Sequence, residues 1–463
     1  MSGVFGVYSP SPVEAADLTY LGLYALQHRG QESAGIAVFD GSAVRVHKGP
    51  GPVSRVFDEA SLKGLPGRVS VGHVRHAERG APSAADAQPL VGLLRHGQLA
   101  LAHDGSVVNA GALRRELLEA GVVFQTETSA EVILHLIAAE AGVSLEEAIC
   151  RAARRLVGSY AIGIVGQGRL IGIRDPLGIR PLAVGRSGDA WFVASESCAF
   201  DAAGAELVRD VAPGEMVVID EEGLRSLRFA EGAREAMCVF EFIYFARPDS
   251  VIDGKTVHEV RKEIGRRLAR KVAIEADVVI AAPDSASSAA LGFAETAGIP
   301  FDVGLATNRY VGRTFIQPTP AMRRRGVHIK HNPIVETLRG KRVILVDDSI
   351  VRGTTSRRMI RLLKEAGAKE VHMVVASPPF SHPCLYGIDV PSSDQLIAAG
   401  RSVNEVCRLI GADSLHYLDF ESLYQAVGVD GRRLCAACFG APYPTPVDGG
   451  ASQGGDVLAK GRM

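Results

Sequence analysis

The chain has 463 residues, 47% of them hydrophobic, and 51 basic against 52 acidic side chains leave a formal charge of −1. That length exceeds one ordinary core and implies two domains of about 200 residues each, while the even charge excludes the basic stripe of a nucleic-acid binder or a membrane-surface protein. No window of about 18 apolar residues and no basic-then-apolar leader occurs, and seven scattered cysteines do not make a secreted disulfide framework, so a soluble cytoplasmic protein is expected.

In the first half, short apolar runs between turn signals predict strands at Val4–Val7, Gly35–Phe39, Arg68–Val71, Leu99–His103, Tyr160–Val165, Arg169–Arg174, Trp191–Ala194 and Met216–Ile219. Helical periodicity covers Ala15–Ala25, Ala110–Glu119, Ala130–Glu140 and Leu145–Leu156. Stacked sheets with helices outside follow from this order. Apolar patterning breaks up over Leu224–Ala236, which sets the expected boundary, with a first domain at 2–230 and a second at 231–443. The second half alternates: helix Thr256–Ala273, strand Val278–Ala281, helix near Ser287–Ala297, strand Val343–Val346, helix from about Thr355 to Glu365, strand Val371–Ala376. That alternation predicts a parallel α/β domain. Residues 444–463 are rich in Gly, Pro and Ser and are expected to be a disordered tail.

The most informative stretch is Val343–Thr355, VILVDDSIVRGTT. A four-residue apolar strand ends in Asp347 and Asp348, and a small polar turn of Ser349, Ile350, Val351, Arg352, Gly353, Thr354 and Thr355 leads into a helix. This layout suits a phosphorylated sugar. Turn amides and the helix N-terminus face a 5-phosphate, and the carboxylates take ribose hydroxyls or a Mg²⁺ shared with a diphosphate. An ordinary strand ending in an acidic turn would explain one Asp, not the pair together with the turn.

Five motifs occur in order: Gln27–Gly35, Arg174–Gly178, Tyr244–Ser250, Asn308–Phe315 and Val346–Gly353. With them the chain resembles the glutamine phosphoribosylpyrophosphate (PRPP) amidotransferase family from about Gly3 to Tyr443. The resemblance implies an N-terminal-nucleophile (Ntn) hydrolase-like αββα sandwich, followed by a type I phosphoribosyltransferase domain. It also implies PRPP and ammonia or another amine as substrates, feedback nucleotides, a homo-oligomer (tetramer or dimer), and an internal ammonia channel.

The glutaminase half departs from the family pattern. The N-terminal cysteine nucleophile is matched by Ser2, the oxyanion-hole Asn-Gly by Asp104-Gly105, and the Asp that holds the substrate amine by Ser129. The Tyr after the substrate-binding Arg is His76, followed by Ala77-Glu78-Arg79. Arg75 and Gly105 are retained. An ionised Asp104 offers an acceptor where a donor is needed; losing one such donor costs about 3 kcal/mol, and a like charge costs more. Glutamine hydrolysis is therefore expected to be lost, with Asp104 free to neutralise Arg75. A Ser2 amidase that uses its own amine as base, or a residual glutaminase, stays open.

The transferase half keeps the pattern. Pro283-Asp284-Ser285 matches the diphosphate loop, and the segment from Asn308 to Lys330, with Arg313, Arg323, Arg324 and Arg325, matches the loop that closes over PRPP. Thr307 stands where the family usually has Lys. Cys238, Cys384, Cys435 and Cys438 match the ligands of a [4Fe–4S] cluster in the iron–sulfur branch, with structural zinc or no metal as alternatives. Cys150, Cys198 and Cys407 read as buried thiols. The chain thus reads as a pentosyltransferase that displaces diphosphate with an externally supplied amine; a non-catalytic regulatory relative that binds PRPP or nucleotides is the competing reading.

Overall fold

The computed structural model describes residues 2–10, 15–76, 84–230, 234–308, 331–390 and 392–446. In the first half thirteen strands are described. They are β1 (Gly3–Tyr8), β2 (Ser33–Phe39), β3 (Val44–Pro50), β4 (Val69–Arg75), β5 (Leu90–Leu94), β6 (Gly97–Val107), β7 (Gly158–Gly166), β8 (Arg169–Arg174), β9 (Ala183–Ser187), β10 (Ala190–Ala194), β11 (Glu206–Asp210), β12 (Glu215–Asp220) and β13 (Gly223–Arg228). They form one sheet in the order β11-β9-β10-β1-β4-β2-β3 and another in the order β13-β12-β8-β7-β6-β5.

Strand alternation explains the layers. Val4 and Tyr8 of β1 join Val71, Ala100, Ala102 and Val217 between the two sheets, while Phe5 and Val7 pack under the helix Ala15–Ala25. Leu99 and Leu101 of β6 turn the other way, onto the helices Ser129–Ala139 and Leu145–Arg155. The result is a four-layer αββα sandwich. The second of these helices is locally encoded: Ser144 caps it by accepting from the Glu147 amide, acidic Glu146 and Glu147 fill its first turn, and Arg154 and Arg155 its last.

The boundary expected over Leu224–Ala236 is corrected in part. Residues 223–228 are β13, an exposed edge strand paired with β12. Its polar outward face hides the alternation.

In the second half a parallel sheet runs Val278–Ala281, Arg342–Asp347, Glu370–Val375, Ser414–Tyr417. Phe301 bridges in parallel to Val279 on the outer side of the first strand. In chain order the arrangement is therefore 2-1-3-4-5. Open sheets of this kind bind ligands at the C-terminal ends of the first and third strands, where the order reverses. The helices Val257–Lys271 and Ser287–Ala297 pack in close contact; a Cβ on Gly265 would lie 1.9 Å from the Ala289 carbonyl oxygen. The tail begins later than expected, because Thr445 is buried and its hydroxyl lies 2.8 Å from that of Tyr386; residues 447–463 lie outside the described residues. No helix among the described residues is long and apolar enough to cross a membrane.

Candidate functional site

The switch point of the second half holds the predicted sugar-phosphate residues. The strand Arg342–Asp347 delivers Asp347 and Asp348 to the sheet's C-terminal edge, and the neighbouring strand Val278–Ala281 delivers Pro283, Asp284 and Ser285. Ser285 Oγ donates to Asp348 Oδ2, Ser349 Oγ donates to Asp348 Oδ1 at 2.6 Å, and the Asp348 amide donates to Asp347 Oδ1 at 3.0 Å.

Both carboxylates are buried, at 7% and 6% exposure. Burial, then the adjacent Asp348 charge, pushes the Asp347 carboxyl well above the usual range. Burial raises Asp348 too, against opposition from Ser285, Ser349 and Arg261.

The turn that follows is open. Gly353 has φ 72°, and a Cβ there would also meet Ile397 at 2.3 Å, so glycine is required twice over. Among the described residues no backbone amide from Ser349 to Ser356 donates to a protein acceptor. These amides, at the start of the helix Thr354–Glu365, form an anion nest. The side chains divide the labour. Ile350 anchors the turn in the core at 1% exposure, Arg352 is taken up by Gln395 at 2.6 Å, and Thr354 and Thr355 are exposed. Arg313, Arg323, Arg324 and Arg325 lie outside the described residues, as do Ala77-Glu78-Arg79. Sequence reasoning missed Ser356, which lies near enough to oppose the rise of the Asp347 carboxyl, and the buried Arg261, which does the same for Asp348.

At one end of the sandwich the residues matched to the family's glutamine site gather. Asp104 on β6 is fully buried and its Oδ1 accepts from the Ser2 amide at 2.6 Å. Burial raises this carboxyl, but Arg180 and Arg29 outweigh it and hold Asp104 below its ordinary range, ionised. Arg75 is not its partner, contrary to expectation. Arg75 reaches Asp86 at 3.8 Å, while Arg29 lies 3.5 Å from Asp104. The reason is register: Arg75 ends β4, whereas Arg29, just after the helix Ala15–Ala25, points under β1 and donates to the Ser2 carbonyl at 2.9 Å. Ser129 Oγ stands 3.4 Å from His103 Nδ1. Gly105 has φ 123°, and a Cβ there would sit 2.2 Å from the Ser159 carbonyl oxygen.

This end is tied to the transferase half by buried charge that the sequence did not reveal. Arg29 donates to Glu196 at 2.5 Å and to Glu241 at 2.8 Å; Arg180 donates to Glu241 at 3.2 Å and to the Tyr386 carbonyl. Glu196 also accepts from the Ser250 hydroxyl and the Arg247 amide. Arg29 lies in the Gln27–Gly35 motif and Arg180 just past Arg174–Gly178, but residues as far as 212 positions apart give no local signal that they meet.

Two buried histidines flank Asp104. His73 donates its Nε2 proton to the His103 carbonyl at 3.0 Å. Burial depresses His73 from 6.5 to about 3 and His103 to about 4, with Asp104 only partly offsetting. Because both charge more readily when unfolded, stability is full above pH 6.5 and falls as pH drops through 6.5 towards the folded values. Each should cost up to about 1.4 kcal/mol per pH unit in that window. His73→Gln is expected to make the acid limb of a plot of denaturation midpoint against pH shallower by about half; an unchanged limb would contradict the assignment.

The four matched cysteines converge at the edge of the transferase half. Cys238 and Cys435 are register partners in a short parallel pair, and Cys438 follows in the turn Ala437–Phe439. The Cys438 carbonyl accepts the Ser381 and His382 amides, which brings in Cys384. Burial and then the neighbouring thiols push Cys438 far up, with Cys384 the nearest influence, and burial takes Cys238 to about 12. All seven cysteines are free; Cys150 and Cys198 are buried, whereas Cys407 is only half-buried.

Comparison with known proteins agrees with this anatomy. Residues 73–202 match a glutamine amidotransferase domain and residues 255–379 a phosphoribosyl transferase domain. The chain is 47% identical to amidophosphoribosyltransferase of Bacillus subtilis, over 96% of this chain and 94% of that one. It is 47% identical to that of Archaeoglobus fulgidus, over 97% and 99%. The fold superposes with a TM-score of 0.91 on the B. subtilis glutamine PRPP amidotransferase complexed with ADP and GMP, at 47% identity, covering 96% of this chain and 98% of that one. With a TM-score of 0.92 it also matches a structure described as the allosteric regulatory enzyme of purine biosynthesis, covering 96% of each chain. The two-domain fold, the full-length identity and the paired-carboxylate switch-point site agree: the chain belongs to the amidophosphoribosyltransferase family, the PRPP-dependent pentosyltransferases.

Proposed function

We propose that this chain displaces diphosphate from PRPP with ammonia or another externally supplied amine and no longer hydrolyses glutamine. The observation that carries this reading is Asp104: a buried, ionised carboxylate, held by two arginines, where an oxyanion would need a donor. Ser2 in place of a thiol and Ser129 in place of an amine-holding carboxylate point the same way. Arg75 and Gly105 then serve the scaffold.

In the transferase half, Ser349–Thr355 cradles the 5-phosphate with its open amides, and Pro283-Asp284-Ser285 meets the diphosphate. Asp347 and Asp348 orient the ribose and would hold Mg²⁺, whose charge would offset the diphosphate and relieve the repulsion between the two carboxylates. By its match to the family, Arg313 would offset diphosphate charge. A neutral amine attacks C1 from the face opposite the leaving group, and the protein positions and stabilises charge. The relative solved with ADP and GMP supports a nucleotide feedback site, with Thr307 altering its chemistry here.

The donor set of Cys238, Cys384, Cys435 and Cys438 fits a [4Fe–4S] cluster: four free, mutually influencing thiols on segments that meet at one edge. Among the described residues no three His, Cys, Asp or Glu side chains are gathered to hold a single ion; thiols around a cluster stand farther apart. When bound, the cluster would fasten the C-terminal segment to the domain. Anaerobically purified protein is expected to be brown, with about four irons per chain, and Cys435→Ser or Cys384→Ser to lose iron and solubility together. Colourless, stable protein with stoichiometric zinc would refute this. The test of the function itself is diphosphate release from PRPP with glutamine, ammonium and a panel of amines.

A further inference from the structure

The buried charges where the halves meet do not balance. Three carboxylates, Asp104, Glu196 and Glu241, surround two guanidiniums, Arg29 and Arg180, and all five side chains are wholly buried. The other charged groups nearby are engaged. His28 meets Glu196 at 2.7 Å from a side 26% exposed, Arg247 is taken up by Asp249, and Arg261 donates to the carbonyls of Phe242 and Ala246. The imbalance falls on Asp104. Its Oδ1 accepts one proton from Ser2 N at 2.6 Å; its Oδ2 is buried, has no hydrogen-bond donor, and only Arg29 at 3.5 Å. A buried carboxylate oxygen left without a donor is costly.

The atom already in place can supply both. As a peptide amide, Ser2 N brings one proton and no charge. As an α-ammonium it brings three protons and a positive charge, enough for Oδ1 and Oδ2 together. We propose that Ser2 is the first residue of the working chain and that Asp104 holds its α-ammonium as a buried ion pair. The peptide bond ahead of Ser2 would be hydrolysed by a processing peptidase: water adds across the bond, the preceding residue leaves with the carboxylate, and the amine stays on Ser2. Held this way, the amine has no lone pair to take the Ser2 hydroxyl proton, so the base that an N-terminal serine needs is removed. This rests on the reading that hydrolysis is lost and gives it a second cause besides the oxyanion position.

The sign of the pH effect is fixed. A free α-amine titrates near 7.7–8.0; pairing raises that in the folded chain. The stabilisation is then full below the unfolded value and vanishes as pH rises through the folded one. The experiment compares two full-length chains freed from a tag by a protease, one beginning at Ser2 and one with a single glycine ahead of it, each with Asp104 or with Asp104→Asn. The chain beginning at Ser2 should have the higher denaturation midpoint. The gap should close in Asp104→Asn and should also close on raising pH. If Asp104→Asn does not fold, the pH series on the other two chains decides alone. No gap, a gap that survives Asp104→Asn, a gap indifferent to alkaline pH, or Met1 retained in the intact mass of cell-produced protein overturns the proposal. None of these readouts involves glutamine, so a chain found to hydrolyse glutamine would sink the functional reading separately.

Discussion

Asparagine at both 347 and 348 is expected to lower diphosphate release from PRPP by on the order of a thousandfold or more while the chain stays folded. In the proposed mechanism these two buried carboxylates orient the ribose and would hold Mg²⁺. Their cost to the fold runs the other way. Both are buried, and burial together with their mutual repulsion lifts the Asp347 carboxyl well above its usual range. An amide has the same shape without the charge; one of the Ser285 and Ser349 hydroxyls can still donate to its oxygen while the other turns to accept from its NH2. The thermal midpoint of the double variant should therefore match or exceed that of the parent. Turnover that survives the double change would place the sugar-phosphate site elsewhere, and a collapsed fold would show that the carboxylates are structural.

Restoring the nucleophile alone is expected to recover no glutamine hydrolysis. Ser2→Cys supplies a thiol but leaves Asp104 ionised beside it, and removing one oxyanion donor already costs about 3 kcal/mol. It also leaves Ser129 in the place where an amine-holding carboxylate is required. Residues that act as a unit are not additive, so Ser2→Cys, Asp104→Asn and Ser129→Asp are needed together. The triple variant should raise glutamate release by at least about a hundredfold over any single variant. The fold is expected to survive the middle change, because Arg29 and Arg180 keep Glu196 and Glu241 as partners and the residue-2 amine, freed of its carboxylate, can lose its proton. Full recovery in Ser2→Cys alone would mean that Asp104 and Ser129 matter little.

The contiguous parts of this molecule were legible in the sequence. Val343–Thr355 carries its strand, its carboxylates and its turn in one stretch, and every strand named from apolar runs in the first half lies on an observed strand. Several elements that stayed hidden did so for a physical reason. Strands β3, β11 and β13 are exposed or half-exposed edges with charged residues along them, so they lack strong alternation. The Ser402–Glu405 capping box is a local sequence signal for the helix Val403–Ile410. The change of charge at Asp104 was visible, but its partners were not. Arg29 and Glu241 lie 212 positions apart and meet only because the two halves fold against each other. The burial of Asp347 and Asp348 likewise depends on neighbouring strands.

The most direct measurement follows glutamate and diphosphate in parallel, from the same unmodified protein, with PRPP and Mg²⁺ and either glutamine or ammonium as nitrogen source. Diphosphate release that rises with neutral ammonia across pH, with neither glutamate nor diphosphate above background when glutamine is the source, is the expected result. Glutamate formed from glutamine at a rate matching diphosphate release would contradict it.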